Sequence, residues 1–314
     1  MKRKISQIFL IADEAVFIII ISILLYLSYP IKTPKTVKIP YGSISKIITY
    51  LNYNDLDVGV LDKYLLRFFG SPQEGFIEIK KTNLSKADFL YAITHSKAAM
   101  DKFMLIPGET KEIFFKELAK KLSLSYEKLL KAYQKYAPYP DGVIIPESYK
   151  VPKGMDEDRL IKYLVSNSLK VHKKLSLKYL KKYDQKEWFK KYITIASIIQ
   201  KEAANKKEMP LISAVIYNRL KIGMKLQMDG ALNYGKYSHI KVTKKRILED
   251  NSKFNTYKHE GLPPYPICAV SKEAVKAAIF PADKNYLYFV KSKDNKHLFT
   301  DSYRKHLINI KNGK

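Results

Sequence analysis

The sequence predicts an α+β protein with a single N-terminal transmembrane helix, a small α/β module and a larger α+β domain. Three observations predict this arrangement. A long apolar run follows a basic N-terminus, short strand and helix patterns alternate between residues 37 and 98, and longer helical patterns separated by Gly- and Pro-rich loops fill the remainder. The content of 46% apolar and 28% charged residues is that of an ordinary globular chain, which argues against extended disorder.

The apolar run predicts a membrane anchor over residues 1–30. Residues 15–29 are almost entirely apolar, and counting back to Ile8 gives the ~20 residues that a bilayer core requires. Lys2, Arg3 and Lys4 precede the run, so the positive-inside rule puts the N-terminus in the cytoplasm. No small-x-small cleavage site follows, although a cleaved signal peptide and a buried core helix remain the alternatives. We therefore expect a single-pass protein of the cell inner membrane whose other residues lie outside the cytoplasm.

The formal charge of +27 favours acidic partners. A nucleic acid, an anionic membrane or cell-wall surface, and a lysine-rich composition without functional meaning are the three explanations. A domain outside the cytoplasm does not meet the chromosome, so we expect no nucleic-acid partner. The lone Cys268 cannot form an internal disulfide, so the fold must depend on its core.

Residues 31–36 contain two prolines and predict a short extended linker, and residues 37–100 predict the small module. The module should contain a strand at 37–40, helices from Ile44 and over 61–69, a strand at 75–80 and a helix over 86–94 capped by Ser85. The larger domain, residues 101–314, should begin with a strand near Met104. Helices over 111–122, 125–136 and 155–183 should follow, the first capped by Thr110.

Residues 188–205 predict one continuous amphipathic helix that carries an acid on its apolar face. At 100° per residue, Tyr192, Ile195, Ile198, Ile199 and Glu202 form one stripe. Burial of a carboxyl disfavours its charged form and raises its pKa, which suits a general acid near neutral pH. An ion pair with a core arginine, or the capping of a neighbouring loop, explains the same position equally well.

The loops after this helix are rich in Gly, Pro, amide, guanidinium and aromatic residues. Such residues suit a saccharide cleft, because amides and guanidinium groups bind hydroxyls and tyrosine rings pack on sugar faces. A helix over 272–278 and a hairpin of residues 286–290 with 297–300 should complete the domain. The candidate substrate-binding residues are Tyr217, Asn218, Arg219, Gln227, Asp229, Asn255 and Tyr257. Each of them also suits a purely structural hydrogen bond.

Five ordered blocks resemble those of the endolytic murein transglycosylases of the MltG (YceG-like) family. The blocks are residues 196–202 (ASIIQKE), 217–220 (YNRL), 223–229 (GMKLQMD), 255–257 (NTY) and 261–267 (GLPPYPI). Residues 107–110 (PGET) and 146–149 (PESY) resemble earlier blocks of the family, and the small module has the position of its LysM-like subdomain. Gln200 stands where members often have an acid, and Met228, Gly230 and Ala231 replace more typical Thr, Pro and Thr.

The resemblance implies a membrane-anchored lytic transglycosylase with Glu202 as its catalytic acid and base. It would cut the MurNAc–GlcNAc bond of nascent peptidoglycan strands beside the peptidoglycan synthases, leaving 1,6-anhydroMurNAc ends and terminating elongation. One carboxyl suffices for this reaction because the sugar's own C6 hydroxyl is the nucleophile, whereas hydrolysis requires two.

No cofactor or metal is expected. The histidines lack zinc-site spacing, no G-x-S-x-G motif is present, and Gly230–Lys236 lacks the Ser or Thr that ends a phosphate-binding loop. The main alternative is a non-catalytic, membrane-anchored peptidoglycan-binding scaffold, for which Glu202 would be dispensable.

Overall fold

The computed structural model describes residues 2–294 and 296–313. Met1, Asn295 and Lys314 of the predicted domain ranges lie outside the described residues, as do the side chains of Lys2, Arg3, Lys4 and Ile8. The chain divides into two compact units. We call Met1–Asp101 with Lys150–Met155 the N-terminal unit, and Lys102–Tyr149 with Asp156–Lys314 the C-terminal unit. The predicted functional domains, with their boundaries at residues 30, 36 and 100, stay a prediction.

The N-terminal unit contains a long helix followed by a small α/β core. In chain order its elements are α1 (Lys2–Ser28), β1 (Pro30–Lys32), β2 (Thr36–Ile39), α2 (Ile44–Tyr53), α3 (Val60–Phe69), β3 (Gly75–Glu78), β4 (Asn83–Ser85) and α4 (Lys86–His95). The strands form two antiparallel pairs, β1 with β4 and β2 with β3. Ile31, Val37, Leu66 and Phe89 are among the residues of its buried core.

Helix α1 contains a segment that could cross a membrane. Leu10–Ser28 is long and apolar enough, and none of it is buried inside the protein. It is the only such segment among residues 2–294 and 296–313. The segment is consistent with the single-pass anchor that the sequence predicts.

The segment expected to be a linker is part of the core of the N-terminal unit. Residues 31–36 include two residues of β1, and Ile31 and Thr33 are buried. The prolines predict a short extended linker. The backbone is extended here, but β1 pairs with β4.

The C-terminal unit is mainly helical, and the α+β class predicted for the chain is confirmed. The remaining elements of the chain are β5 (Met100–Met104), α5 (Lys111–Leu122), α6 (Tyr126–Tyr136), β6 (Ser148–Pro152), α7 (Glu157–Leu180), α8 (Gln185–Glu187), a π-helical segment (Trp188–Ile193), α9 (Thr194–Glu202), α10 (Met209–Lys221), α11 (Asp229–Leu232), a 3₁₀ turn (Gly235–Tyr237), α12 (Lys244–Glu249), α13 (Lys272–Ile279), β7 (Tyr288–Lys291), β8 (His297–Thr300) and α14 (Tyr303–Gly313). Two further sheets pair β5 with β6 and β7 with β8.

The predicted helix 188–205 is wrong in its continuity. A π-helical segment precedes α9, and α9 ends at Glu202, where Ala203 adopts an extended conformation. The Thr194 hydroxyl donates to the carbonyl of Phe189, five residues earlier, at 2.9 Å. The predicted single apolar stripe is also wrong, because every residue from Ile193 to Ile199 is buried. A pattern with a period of 3.6 residues does not predict a π-helical segment. The extra residue in its turn changes the directions of the side chains before the segment relative to those in α9.

Candidate active site

Glu202 is the last residue of a helix that is buried among three others. Helix α9 packs against α10, α11 and α13. The Ser197 hydroxyl accepts a hydrogen bond from the Ile267 backbone at 3.1 Å, and the Gln200 side-chain oxygen accepts from the Ser271 hydroxyl at 2.7 Å. These bonds hold α9 against the loop 261–271. The helix end that presents Glu202 is therefore rigidly supported.

The environment of Glu202 favours its protonated form. Burial and, to a smaller extent, the negative charge of Asp229 together raise the pKa of this carboxyl to about 7. Its Oε1 accepts a hydrogen bond from the Gly230 backbone N–H at 2.6 Å, which partly opposes the rise. The negative end of the α9 dipole acts in the same direction as burial, because it repels a carboxylate at the C-terminus. Glu202 can therefore hold a proton near neutral pH and release it.

Gly230 approaches Glu202 more closely than any residue with a side chain could. A Cβ at this position would lie 2.8 Å from Glu202 Oε1 and 2.7 Å from the Cβ of Lys201. Gly230 lies in the first turn of α11, where backbone N–H groups have no partner within the helix. The absence of a side chain thus lets an unpaired N–H group orient the Glu202 carboxyl.

Asp229 and Tyr257 form a hydrogen-bonded pair beside Glu202. The Tyr257 hydroxyl donates to Asp229 Oδ1 at 2.7 Å. Burial and the Asp229 carboxylate raise the pKa of Tyr257 above its ordinary value, so the phenol stays protonated. The hydrogen bond therefore holds the Asp229 carboxyl beside Glu202, whose pKa its charge raises.

Arg219 is nearly buried and bonds to backbone carbonyls. Its guanidinium donates to the carbonyls of Leu287 at 2.6 Å and Leu226 at 2.5 Å, and it lies over the ring of Tyr288 with 5.4 Å to the centroid. Arg219 therefore fastens α10 both to the loop before α11 and to the start of β7. We expect its loss to disturb both walls of the site.

Gln227 is held in a backbone conformation that is rare for residues other than glycine. Its φ is 49°, and its backbone N–H donates to the Thr256 carbonyl at 3.1 Å. The next backbone N–H, that of Met228, donates to the Thr256 hydroxyl at 3.1 Å. The side chain of Gln227 remains exposed. Strain of this kind persists where the surrounding structure fixes it, which is common at binding sites.

These residues surround a pocket of about 400 Å³ within the C-terminal unit. The structure brings together five of the eight predicted site residues, and they are Glu202, Arg219, Gln227, Asp229 and Tyr257. The chemical groups around the pocket are a protonatable acid, an anion, a phenol, an exposed amide and several aromatic faces. This combination can bind a sugar and transfer a proton.

The other three predicted residues use their polar groups inside the protein. The Tyr217 hydroxyl donates to the Ala278 carbonyl at 2.7 Å, and the Asn218 amide donates to the carbonyls of Lys284 and Tyr286. Asn255 is fully buried, and its amide donates to the carbonyls of Ile247 and Asp250. None of the three lines the pocket, so their substrate-binding role stays a prediction that the geometry does not support.

The sequence reasoning missed the wall formed by the β7–β8 hairpin and α14. Tyr288 stacks with His306 at a centroid separation of 5.1 Å, and Tyr303 lies 5.6 Å from Tyr288. Phe289 and His297 also line the pocket. The hairpin was predicted but its place in the fold was not, and α14 was not predicted at all. The aromatic and histidine residues at 288, 303 and 306 were the available signal. Within residues 2–294 and 296–313, no three His, Cys, Asp or Glu side chains gather closely enough to hold a metal ion.

Comparison with known proteins yields three kinds of match. Residues 37–312 match the YceG-like family. A segment of 116 residues is 37% identical to an endolytic murein transglycosylase of Bacillus subtilis, covering 37% of this chain and 32% of that protein. A segment of 155 residues is 31% identical to an endolytic murein transglycosylase of Streptococcus pneumoniae, covering 48% of this chain and 28% of that protein. The matches thus span about a third of these relatives' own length.

A solved structure resembles most of the chain. The crystal structure of a yceG-like protein from Listeria monocytogenes aligns with a TM-score of 0.57 at 26% sequence identity. The alignment covers 88% of this chain and 99% of that one. The similarity therefore extends well beyond the segments shared with the curated relatives.

Proposed function

Because this chain belongs to the YceG-like family, we propose that it is a membrane-anchored endolytic lytic transglycosylase acting on nascent peptidoglycan. Its substrate would be the MurNAc–GlcNAc bond inside a glycan strand, and its product a 1,6-anhydroMurNAc end. The names of the curated relatives, endolytic murein transglycosylases, support this reaction class. Cleavage of a growing strand would end its elongation.

The observation that carries the proposal is the state of Glu202. A carboxyl with a pKa of about 7 lies in the pocket, and the Gly230 N–H engages one of its oxygens. The hydrogen bond to Oε1 favours the proton on Oε2, since a protonated oxygen accepts poorly from an N–H donor. A general acid works best when its pKa is close to the operating pH, and Glu202 meets this condition.

The proposed reaction uses this one carboxyl twice. Glu202 Oε2–H protonates the bridging glycosidic oxygen as the bond from that oxygen to C1 of MurNAc breaks. The C6 hydroxyl oxygen of the same MurNAc then attacks C1, and the Glu202 carboxylate accepts the C6 hydroxyl proton. The glycan loses one bond and gains one, water is not consumed, and Glu202 returns to its protonated form.

The surrounding residues support this chemistry electrostatically and by packing. Asp229 carries a negative charge near Glu202, which would stabilise positive charge that develops at C1. Tyr257 holds Asp229 in place through the bond at 2.7 Å. The exposed ring of Tyr303 offers a face for sugar packing. The exposed amide of Gln227 is the candidate donor to sugar hydroxyls.

The membrane placement is part of the proposal. Helix α1 would cross the inner membrane once, with the N-terminus in the cytoplasm and the residues after α1 outside it. The exposed apolar segment Leu10–Ser28 supports a crossing, and the basic residues at positions 2–4 support the direction. An anchored enzyme would meet strands as they are made, so the peptidoglycan synthases are its proposed neighbours.

The test is mass spectrometry of products from nascent, uncrosslinked peptidoglycan incubated with the full chain in detergent. We expect anhydro ends from the wild type and a loss on the order of 10²- to 10⁴-fold in Glu202→Gln, as for the removal of a general acid. Glu249→Gln is the matched control, because Glu249 is exposed on α12 and does not line the pocket. A folded wild type that binds strands without forming anhydro ends would favour the scaffold instead.

A further inference from the structure

Helix α3 of the N-terminal unit has two apolar faces, and only one of them is covered. Leu65, Leu66 and Phe69 pack on the core of the unit. At 100° per residue, Val60, Leu61, Tyr64 and Phe68 form a stripe on the opposite side, with Arg67 at its edge. Phe68 is 88% exposed and Tyr64 is 58% exposed. We call these five residues the open face of α3.

An open face of this composition is unusual for a helix in contact only with water. A water-facing side is normally polar, whereas four of these five residues are apolar or aromatic. The Arg67 guanidinium lies over the Tyr64 ring, 5.9 Å from its centroid. Aromatic residues with a neighbouring cation are typical of helices that lie in the headgroup region of a membrane.

The covered face of α3 is attached to the last turn of the candidate membrane helix α1. The Tyr26 hydroxyl donates to Asp62 Oδ2 at 2.8 Å, and the Gly59 N–H donates to the same oxygen at 2.6 Å. Lys86 Nζ donates to the Tyr26 hydroxyl at 3.1 Å and lies 4.3 Å from the centre of its ring. Asp62 and Lys86 are both buried. A network of buried charges therefore fixes α3 to α1.

This attachment determines what lies next to α3. Phe68 is six residues after Asp62, so it lies ~9 Å further along the helix axis. A bilayer spanned by Leu10–Ser28 would end within a side chain's length of Tyr26 and hence of Asp62. Helix α3, which carries the open face, is thus held close to the end of α1 at which the chain would leave the membrane.

From this arrangement we infer that the open face of α3 docks on the headgroup region of the bilayer that α1 crosses. The occupant is the lipid surface itself, with Phe68, Tyr64 and Leu61 inserted and Arg67 directed towards anionic headgroups. The inference rests on the proposed anchoring of α1. It adds a second membrane contact, so the N-terminal unit would lie on the membrane instead of extending from it on a flexible tether.

The experiment places an environment-sensitive fluorophore on the open face of the full chain. Phe68→Cys removes only an exposed side chain, and the native Cys268 is fully buried, so the wild type gives the labelling background. Lys97→Cys is the matched control, because Lys97 is exposed and follows the end of α4 that is remote from Lys86. Both labelled chains are reconstituted in vesicles of phosphatidylethanolamine and phosphatidylglycerol, with or without a quencher on the acyl chains.

We expect a blue shift and a loss of about twofold or more in emission with the quencher at position 68, since such helices insert ~5–10 Å into the interface. Position 97 should be unaffected. Carbonate extraction distinguishes a failure of the docking inference from a failure of the proposed anchoring. A chain that resists extraction but shows no quenching at position 68 overturns the docking inference alone. A chain that carbonate removes overturns the anchoring and the docking together. A blue shift that depends on protein concentration but not on the quencher would identify a protein partner and refute the lipid assignment.

Discussion

Replacement of Glu202 by Gln should abolish activity and also stabilise the fold, with a gain that grows with pH. The pKa of Glu202 rises from 4.5 to about 7 on folding, so the folded state binds a proton more tightly than the unfolded chain does. The wild type therefore loses stability as the pH rises from 4.5 through about 7, and the loss is constant above that range. Gln stays neutral, and its side-chain oxygen can still accept the Gly230 N–H.

The size of the effect follows from the pKa. A rise from 4.5 to about 7 corresponds to at most ~3 kcal/mol, because each pH unit is worth ~1.4 kcal/mol. Glu202 is half-buried, and screening by solvent reduces the expected gain at about pH 8 to roughly 1–3 kcal/mol. At about pH 5 the gain should be below ~1 kcal/mol, since the folded wild type is then already neutral.

The assay is urea unfolding of residues 30–314 followed by tryptophan fluorescence. Trp188, the only tryptophan, is buried in the π-helical segment before α9 and reports on the unit that contains Glu202. Glu208→Gln is the control of opposite sign, because bonds from His297 outweigh burial and hold the pKa of Glu208 below its ordinary value. A Glu202→Gln variant that is less stable at pH 8, or equally stabilised at both pH values, would refute the reasoning.

Three further predictions concern the pocket. Gly230→Ala should lower the rate of strand cleavage ~10- to 100-fold, because the new Cβ would collide with Glu202 Oε1 and a 1 Å displacement has this cost; initial rates measure it. Asp229→Asn should move the alkaline limb of the pH–rate profile to lower pH, because the Asp229 charge raises the pKa of Glu202. Arg219→Lys should destabilise the C-terminal unit by ~1–3 kcal/mol in urea unfolding, because a single ammonium cannot replace bonds to the carbonyls of Leu287 and Leu226.

For each of these three predictions, one result would contradict the reasoning. Gly59→Ala is the control for Gly230→Ala, since a Cβ there meets nothing within 4 Å and Gly59 belongs to the other unit. Equal rates in both alanine variants would show that the Gly230 contact does not position Glu202. An unchanged alkaline limb in Asp229→Asn would remove Asp229 from the electrostatics of the site. If Arg219→Lys is as stable as the wild type, the hydrogen bonds from Arg219 to the carbonyls of Leu287 and Leu226 do not stabilise the C-terminal unit.

Local signals in the sequence predicted most of the helices and strands. Ser85 was predicted to cap a helix because a serine hydroxyl can accept a backbone N–H group, and the structure has this bond from Asp88. The helix predicted from residue 125 begins at Tyr126, and the Ser125 hydroxyl caps it by accepting the N–H of Lys128. Thr110 also begins a helix, but its hydroxyl donates to the Gly235 carbonyl, a contact 125 residues away that no local pattern contains.

The site was harder to predict because it is assembled from distant segments. The helical pattern placed Glu202 on an apolar face, where a carboxyl is costly unless it is paired or protonated, and the resemblance to the family's blocks made it the catalytic candidate. Tyr217, Asn218 and Asn255 also belong to blocks that resemble the family. The directions of their side chains depend on tertiary contacts with residues such as Ala278 and Asp250, which the sequence does not show. The role of Gly230 could not be inferred, because the close approach of its N–H to Glu202 exists only after α9 and α11 pack. The LysM-like character of the small module stays a prediction.

The central claim is that one carboxyl cleaves the strand without water. The most direct measurement is cleavage of nascent peptidoglycan in water labelled with the heavy oxygen isotope, with mass spectrometry of the new ends. The account predicts anhydroMurNAc ends that carry no label, formed by wild type and not by Glu202→Gln. Reducing MurNAc ends that carry the label would contradict it and would identify a hydrolase, with Asp229 as the second carboxyl in the same pocket.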